Sequence, residues 1–446
     1  MTDAPTPTGP VSRLARLPFF YGWVVVGITF VTMAIGVNAR TAFSLLFPQI
    51  LDEFGWTSSA VAGVFSLGFV ASMAFAPLIG VLLDKYGPRW VMPAGAIITA
   101  TGLALATVST EPWHFYVALG AFVVVGSVSI AYIGHGILLP HWFVRKRGLA
   151  IGMAFSGVGI GAIVLFPILQ GVIEGAGWRQ ACWIMAGLLL VIVVPLNILF
   201  QRHRPSDIDL RPDGDKGHSD GESGDIDGAI DTVVDRKWVE TDWTVGRAIR
   251  TARFWWLAAG YFCGLFAWYA IQVHQTRYLI ESGYDSTLAA FALGLVPFFG
   301  AAGQITIGHL SDRYGREWGW TVSLSGFVIC YCLLIAIQFS PSTPLLYLMV
   351  AAQGALGYGL AGMLAAIAIE IFQGRQFGAI FGCLNTAATM GAAAGPWVFG
   401  VIYDRFGNYT YAFYLTACLS VLAILCIWIA APRKVRLVAG QAAKRS

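Results

Sequence analysis

One charge in the sequence has no obvious aqueous place to go. Arg40 stands well inside an apolar run that continues to Phe47. If the run is a helix, about 21 residues at 1.5 Å each put Arg40 roughly 30 Å along it. A guanidinium stays protonated and grips a carboxylate through two parallel N–H bonds. Arg40 therefore reads as an anion anchor, with Asn38 and Thr41 beside it to hold it in place. The competing reading is an arginine that snorkels toward headgroups. Ionisable residues inside membrane spans are costly to keep, so function is the default reading.

Other polar side chains fall inside apolar runs. Tyr132 and His135 lie in the inner third of one, Trp268, Tyr269 and Gln272 in another, and Gln353, Tyr358 and Asn385 in two later ones. Arg277, with His274 one turn earlier, sits near an outer end. Each is a candidate substrate contact; for each taken singly, a helix–helix hydrogen bond or core packing competes. No Asp or Glu lies deep in a run, so a coupled proton would have to titrate His135 or His274. There is no phosphate-binding glycine loop, and no His or carboxylate pair shares one helix face. No enzyme, cofactor or metal is expected. All seven cysteines lie inside apolar runs and read as small buried apolar residues.

The elements that position these residues follow from composition. Of 446 residues, 57% are hydrophobic and 12% charged, and the mean hydropathy is +0.69. A soluble domain carries about 25% charged residues. Of the 52 charges, 20 crowd into residues 201–250. Too few remain to clothe a water-facing surface, which excludes a soluble enzyme, a disordered chain and a nucleic-acid-binding domain. Helices of about 20 apolar residues cross a bilayer. Twelve are expected, near 19–47, 57–83, 90–109, 113–140, 149–173, 180–200, 254–279, 287–310, 318–339, 344–370, 377–402 and 410–431. Barrel strands would alternate polar with apolar residues, and these runs do not. The expected class is all-α.

Connectors that would share one side hold 24 of the 28 Lys and Arg residues. The positive-inside rule then gives N-in and C-in. Residues 80–90 (GVLLDKYGPRW) and 308–318 (GHLSDRYGREW) share six identities at an offset of 228. Two six-helix halves are the simplest account, and such halves rock about a midplane site. The expected layout is a cytoplasmic tail (1–18), a first bundle (19–200), a partly disordered linker (201–250), a second bundle (251–431) and a cytoplasmic tail (432–446). Within the linker, 236–250 is expected as an interfacial helix. In the repeated loop, Gly80 and Gly308 permit close helix approach, while Asp84 and Asp312 pair with Arg89 and Arg313 as gates. Glu370 and Arg375 flank a third gate; Glu174 reads as merely interfacial.

The double loop resembles the signature of the major facilitator superfamily. Phe20-Tyr21-Gly22-Trp23 and residues 142–161 (WFVRKRGLAIGMAFSGVGIG) resemble motifs of its monocarboxylate porters and oxalate/formate antiporters. The resemblance implies a multi-pass carrier of the cell (inner) membrane, moving a small organic anion with a proton or against a counter-anion. It also implies that the first, fourth, seventh and tenth spans line the cavity. Relatives carry charged partners in the eighth or eleventh span; this sequence has none there, which points to a single-anchor site and a monocarboxylate. The alternative is a carrier of a neutral solute or drug, with Arg40 structural.

Overall fold

The computed structural model describes residues 19–143, 147–208, 210–211, 233–373, 376–438 and 441, with the side chains at 76, 77, 80, 84, 133, 136, 137, 140, 141 and 147–149 outside the description. Among the described residues, twelve helices are long and apolar enough to cross a membrane. Spans 1 to 6 are Gly22–Phe54, Ser58–Tyr86, Pro88–Thr107, Pro112–Ile130 continued by Tyr132–Trp142, Arg147–Ala176 and Trp178–Phe200. Spans 7 to 12 are Ala252–Glu281, Ser286–Tyr314, Arg316–Phe339, Thr343–Ile371, Phe377–Phe406 and Thr410–Ala430. The buried apolar residues fall mainly into two clusters, one centred on spans 1–6 and one on spans 7–12. The second half of the linker and the C-terminal segment meet on one side, where Val233 bridges to Arg436. We call this the tail side and its opposite the far side.

Three spans are less regular than the sequence suggests. Span 1 is interrupted at Ala42 and runs on to Phe54. Span 4 contains a π-helical stretch (Tyr116–Val123) and breaks at Ala131, whose backbone is extended at φ −103°, ψ −156°. Span 10 passes through a π-helical turn (Ala352–Leu356) and a 3-10 turn (Gly357–Gly359). Gly359 and Ala131 are separated by the repeat offset of 228. Both halves therefore interrupt the same span at the same depth. Paired interruptions of this kind are where carriers place their sites.

Small residues bring the halves together. A Cβ on Gly159 (span 5) would lie 2.8 Å from the Pro297 carbonyl oxygen, and one on Gly294 (span 8) 2.8 Å from that of Ala162. Only a bare α-carbon permits that approach. The expected interfacial helix at 236–250 is corrected to two single turns, Arg236–Val239 and Val245–Ala248. Their tryptophans pack on protein: the Trp238 indole donates to the Ile371 carbonyl at 2.8 Å, and Trp243 stands edge-on to Phe372. The expectation of buried cysteines holds for Cys182, Cys263, Cys330 and Cys426, whereas Cys332, Cys383 and Cys418 are exposed.

Candidate functional site

Arg40 lies two residues before the interruption of span 1 at Ala42, half-buried, with its guanidinium over the Phe69 ring at 5.5 Å. Among the described residues no hydrogen bond or ion pair satisfies it. It lies within electrostatic reach of the Tyr132 and Tyr358 hydroxyls; Tyr132 follows the break of span 4 and Tyr358 lies within that of span 10. Tyr269 joins the group: its ring meets Phe69 at 4.5 Å, and its hydroxyl is within reach of the same two tyrosines. Trp268 is buried against Tyr358 at 4.2 Å. One cation thus faces a cage of aromatic rings whose polar edges are hydroxyls.

A cavity of about 210 Å³ adjoins this cage. Tyr132, Phe155, Ser156, Pro297, Gln304 and Tyr358 line it. The cavity opens to the outside, and Tyr132 stays 38% exposed. Sequence reasoning did not single out Ser156 or Gln304; only their place in the fold gives them a role. The start of the half-helix Tyr132–Trp142 has no side-chain cap. Its first N–H groups carry the positive end of the helix dipole, so backbone and Arg40 present the same sign.

The remaining candidates divide by position. Asn38 is buried, and its Nδ2 donates to the Ala34 and Val158 carbonyls at 2.7 and 2.9 Å. That ties span 1 to span 5. His135 Nδ1 lies 3.0 Å from the Ala131 carbonyl, which can only accept, so Nδ1 carries the proton. Its buried Nε2 has no partner among the described residues. Gln272 and Gln353 each leave Oε1 buried and unpaired among those residues. Asn385 is exposed and does not line the cavity.

His274 and Arg277 sit at the far side. His274 Nε2 donates to the Pro396 carbonyl at 2.9 Å, and Nδ1 lies 2.9 Å from the Tyr409 hydroxyl. With both nitrogens engaged and the ring fully buried, His274 is built into the packing. Arg277 pairs with Glu281 at 2.6 Å, lies over the Tyr403 ring at 4.2 Å and donates to the Ser58 hydroxyl of the other half. Ser44 of span 1 donates to the Val273 carbonyl at 3.0 Å. Among the described residues, every hydrogen bond joining the two halves lies on the far side. The structure is closed there.

At the tail side, Arg316 takes the place expected of Arg313. It pairs with Asp312 at 2.6 Å and Glu370 at 2.7 Å, joining spans 8, 9 and 10 within one half. Gly308 has open space around its α-carbon. Arg89 donates to the Ile198 carbonyl at 2.8 Å, closing the end of span 6 in its own half. The side-chain positions of Gly80 and Asp84, and Arg375 as a whole, lie outside the description.

The Major Facilitator Superfamily description matches residues 28–306 and 281–446. Monocarboxylate transporter 12 of Rattus norvegicus is 24% identical over 424 residues, covering 92% of this chain and 85% of the relative. Monocarboxylate transporter 11 of Homo sapiens is 23% identical, covering 96% and 85%. Among solved structures, a bacterial homolog of the human lysosomal transporter Spinster, inward-facing and occupied, superposes with a TM-score of 0.68 at 14% identity, covering 95% of this chain and 98% of that one. The nucleoside transporter NupG gives 0.69 at 13% identity, covering 92% and 100%. Those identities speak to the fold alone. With twelve spans, paired breaks and a family match along nearly its whole length, the chain belongs to the Major Facilitator Superfamily and is a multi-pass membrane carrier, not an enzyme.

Proposed function

We propose that the protein carries a small organic anion, most simply a monocarboxylate, and that Arg40 is its anchor. The observation that carries this reading is the guanidinium beside the cage, unpaired among the described residues, where spans 4 and 10 both break. Unpaired charge in a low-dielectric site is costly. A bound carboxylate removes that cost, with the tyrosine hydroxyls and Gln304 able to take its remaining oxygen contacts. The aromatic walls suit an apolar tail. Similarity to proteins named monocarboxylate transporters supports the same class.

The tail side is the cytoplasm by the distribution of Lys and Arg, so the arrangement corresponds to an inward-facing carrier. A carrier whose empty site holds an unpaired arginine is reluctant to reorient, which favours exchange against a counter-anion. Symport with a proton would use His135, whose buried Nε2 has no partner among the described residues. Uptake into proteoliposomes separates them: exchange requires internal anion, whereas symport is driven by a pH gradient alone. An Arg40→Gln protein with undiminished uptake would refute the anchor.

A further inference from the structure

Two carboxylates at the far side are related by the internal repeat, and each reaches the start of a helix in the opposite half. The glycines with positive φ give the register. Gly55 pairs with Gly283 and Gly87 with Gly315 at an offset of 228, whereas Gly177 pairs with Gly407 at 230. In the first register Thr57 matches Asp285, and each caps the span that follows: Thr57 accepts from the Ala60 amide, Asp285 from the Leu288 amide. Ser58 then matches Ser286. In the second register Glu174, near the end of span 5, matches Asp404, near the end of span 11.

The contacts obey the same symmetry. Asp404 accepts the backbone N–H groups of Ser58 and Ser59, at 2.7 and 2.8 Å, one on each carboxylate oxygen. Glu174 bonds the Ser286 hydroxyl and is steadied by Gln170 at 3.0 Å. Amides in a first helical turn lack partners within the helix and carry its positive end, so a carboxylate there makes charge-assisted bonds. Gly400 lets the strongest contact form: a Cβ there would stand 2.6 Å from the Ser59 α-carbon. The expected interfacial role of Glu174 is thereby corrected, since it bonds across the two halves.

We propose that Asp404 and Glu174 are paired latches that hold the far side shut and set the balance between the two access states. Opening the far side separates span 2 from span 11 and span 5 from span 8 together, so the two latches break in one step. The proposal rests on the carrier fold and not on the identity of the substrate.

Hydrogen–deuterium exchange on the full-length protein in lipid nanodiscs tests it without substrate. Asp404→Ala is expected to speed exchange at least tenfold in far-side segments 56–62 and 284–290. Tail-side segments 150–156 and 300–306 are expected to slow at least threefold as that side closes. Glu174→Gln is expected to produce the same reciprocal pattern more weakly. Faster exchange confined to 56–62, with the tail side unchanged, would reduce Asp404 to a local cap and overturn the proposal. Should Asp404→Ala not fold, Ser58→Pro removes one latch donor at a first-turn position that tolerates proline, after a residue already extended at ψ 149°, and is read against Ser58→Ala, which removes only the hydroxyl that Arg277 meets. The same reciprocal pattern is expected from Ser58→Pro, and its absence would equally overturn the proposal.

Discussion

Arg40 and Asn38 are two residues apart and do opposite jobs. The Asn38 amide is spent on the carbonyls of Ala34 and Val158, so its contribution is to stability. Asn38→Ala leaves the buried Val158 carbonyl short of a donor, which costs on the order of 1–3 kcal/mol. A lowered Tm with KM unchanged is the expected result in a thermal-shift assay paired with uptake. Arg40 has no such protein partner among the described residues, so its replacement is expected to spare the fold and remove transport. Lysine keeps the charge but not the fork. Arg40→Lys should therefore retain measurable uptake with KM raised about tenfold, equivalent to roughly 1.4 kcal/mol. Equal uptake by Arg40→Lys and Arg40→Gln would show that charge at this position is irrelevant.

The irregular elements were the least legible part of the sequence. Twelve spans could be read from apolar run length because a bilayer imposes length and hydrophobicity directly. The breaks at Ala131 and through Ala352–Gly359 could not. A π-helical turn or one extended residue leaves composition unchanged and depends on what the neighbouring helices press against it. Arg40, Tyr132, Trp268 and Tyr358 were visible as polar or aromatic residues at plausible depths. Gln304 and Ser156 were not, since nothing local distinguishes a cavity wall from a lipid-facing turn. His274 and Arg277 read as site candidates because depth along a helix does not reveal which side of a closed gate a residue occupies. At this scale the Gly159 contact gives a further prediction. Gly159→Val places atoms against the Pro297 carbonyl and forces spans 5 and 8 apart. Overpacking of this sort costs about 1–3 kcal/mol, so uptake should fall sharply with a Tm several degrees lower, while Gly171→Val, in open space, should change neither.

Across the whole molecule, scarcity of charge dictates the fold and underlies the proposed mechanism. Charged residues lie mostly in the linker, the connectors and the tails, leaving Arg40 inside the bundle beside the cavity. The halves are hydrogen-bonded to each other on the far side, among the described residues, and the cavity lies toward the tail side. On the proposed function this is one end state of an alternating cycle, with Arg40 near the point where both halves break. The most direct measurement is saturable uptake into proteoliposomes of a panel of monocarboxylates, each beside its uncharged amide analogue, by wild type and Arg40→Gln. At least one acid should be carried by the wild type, its amide at least a hundredfold less well, and neither by Arg40→Gln. Equal transport of acid and amide, undiminished by Arg40→Gln, would contradict the account.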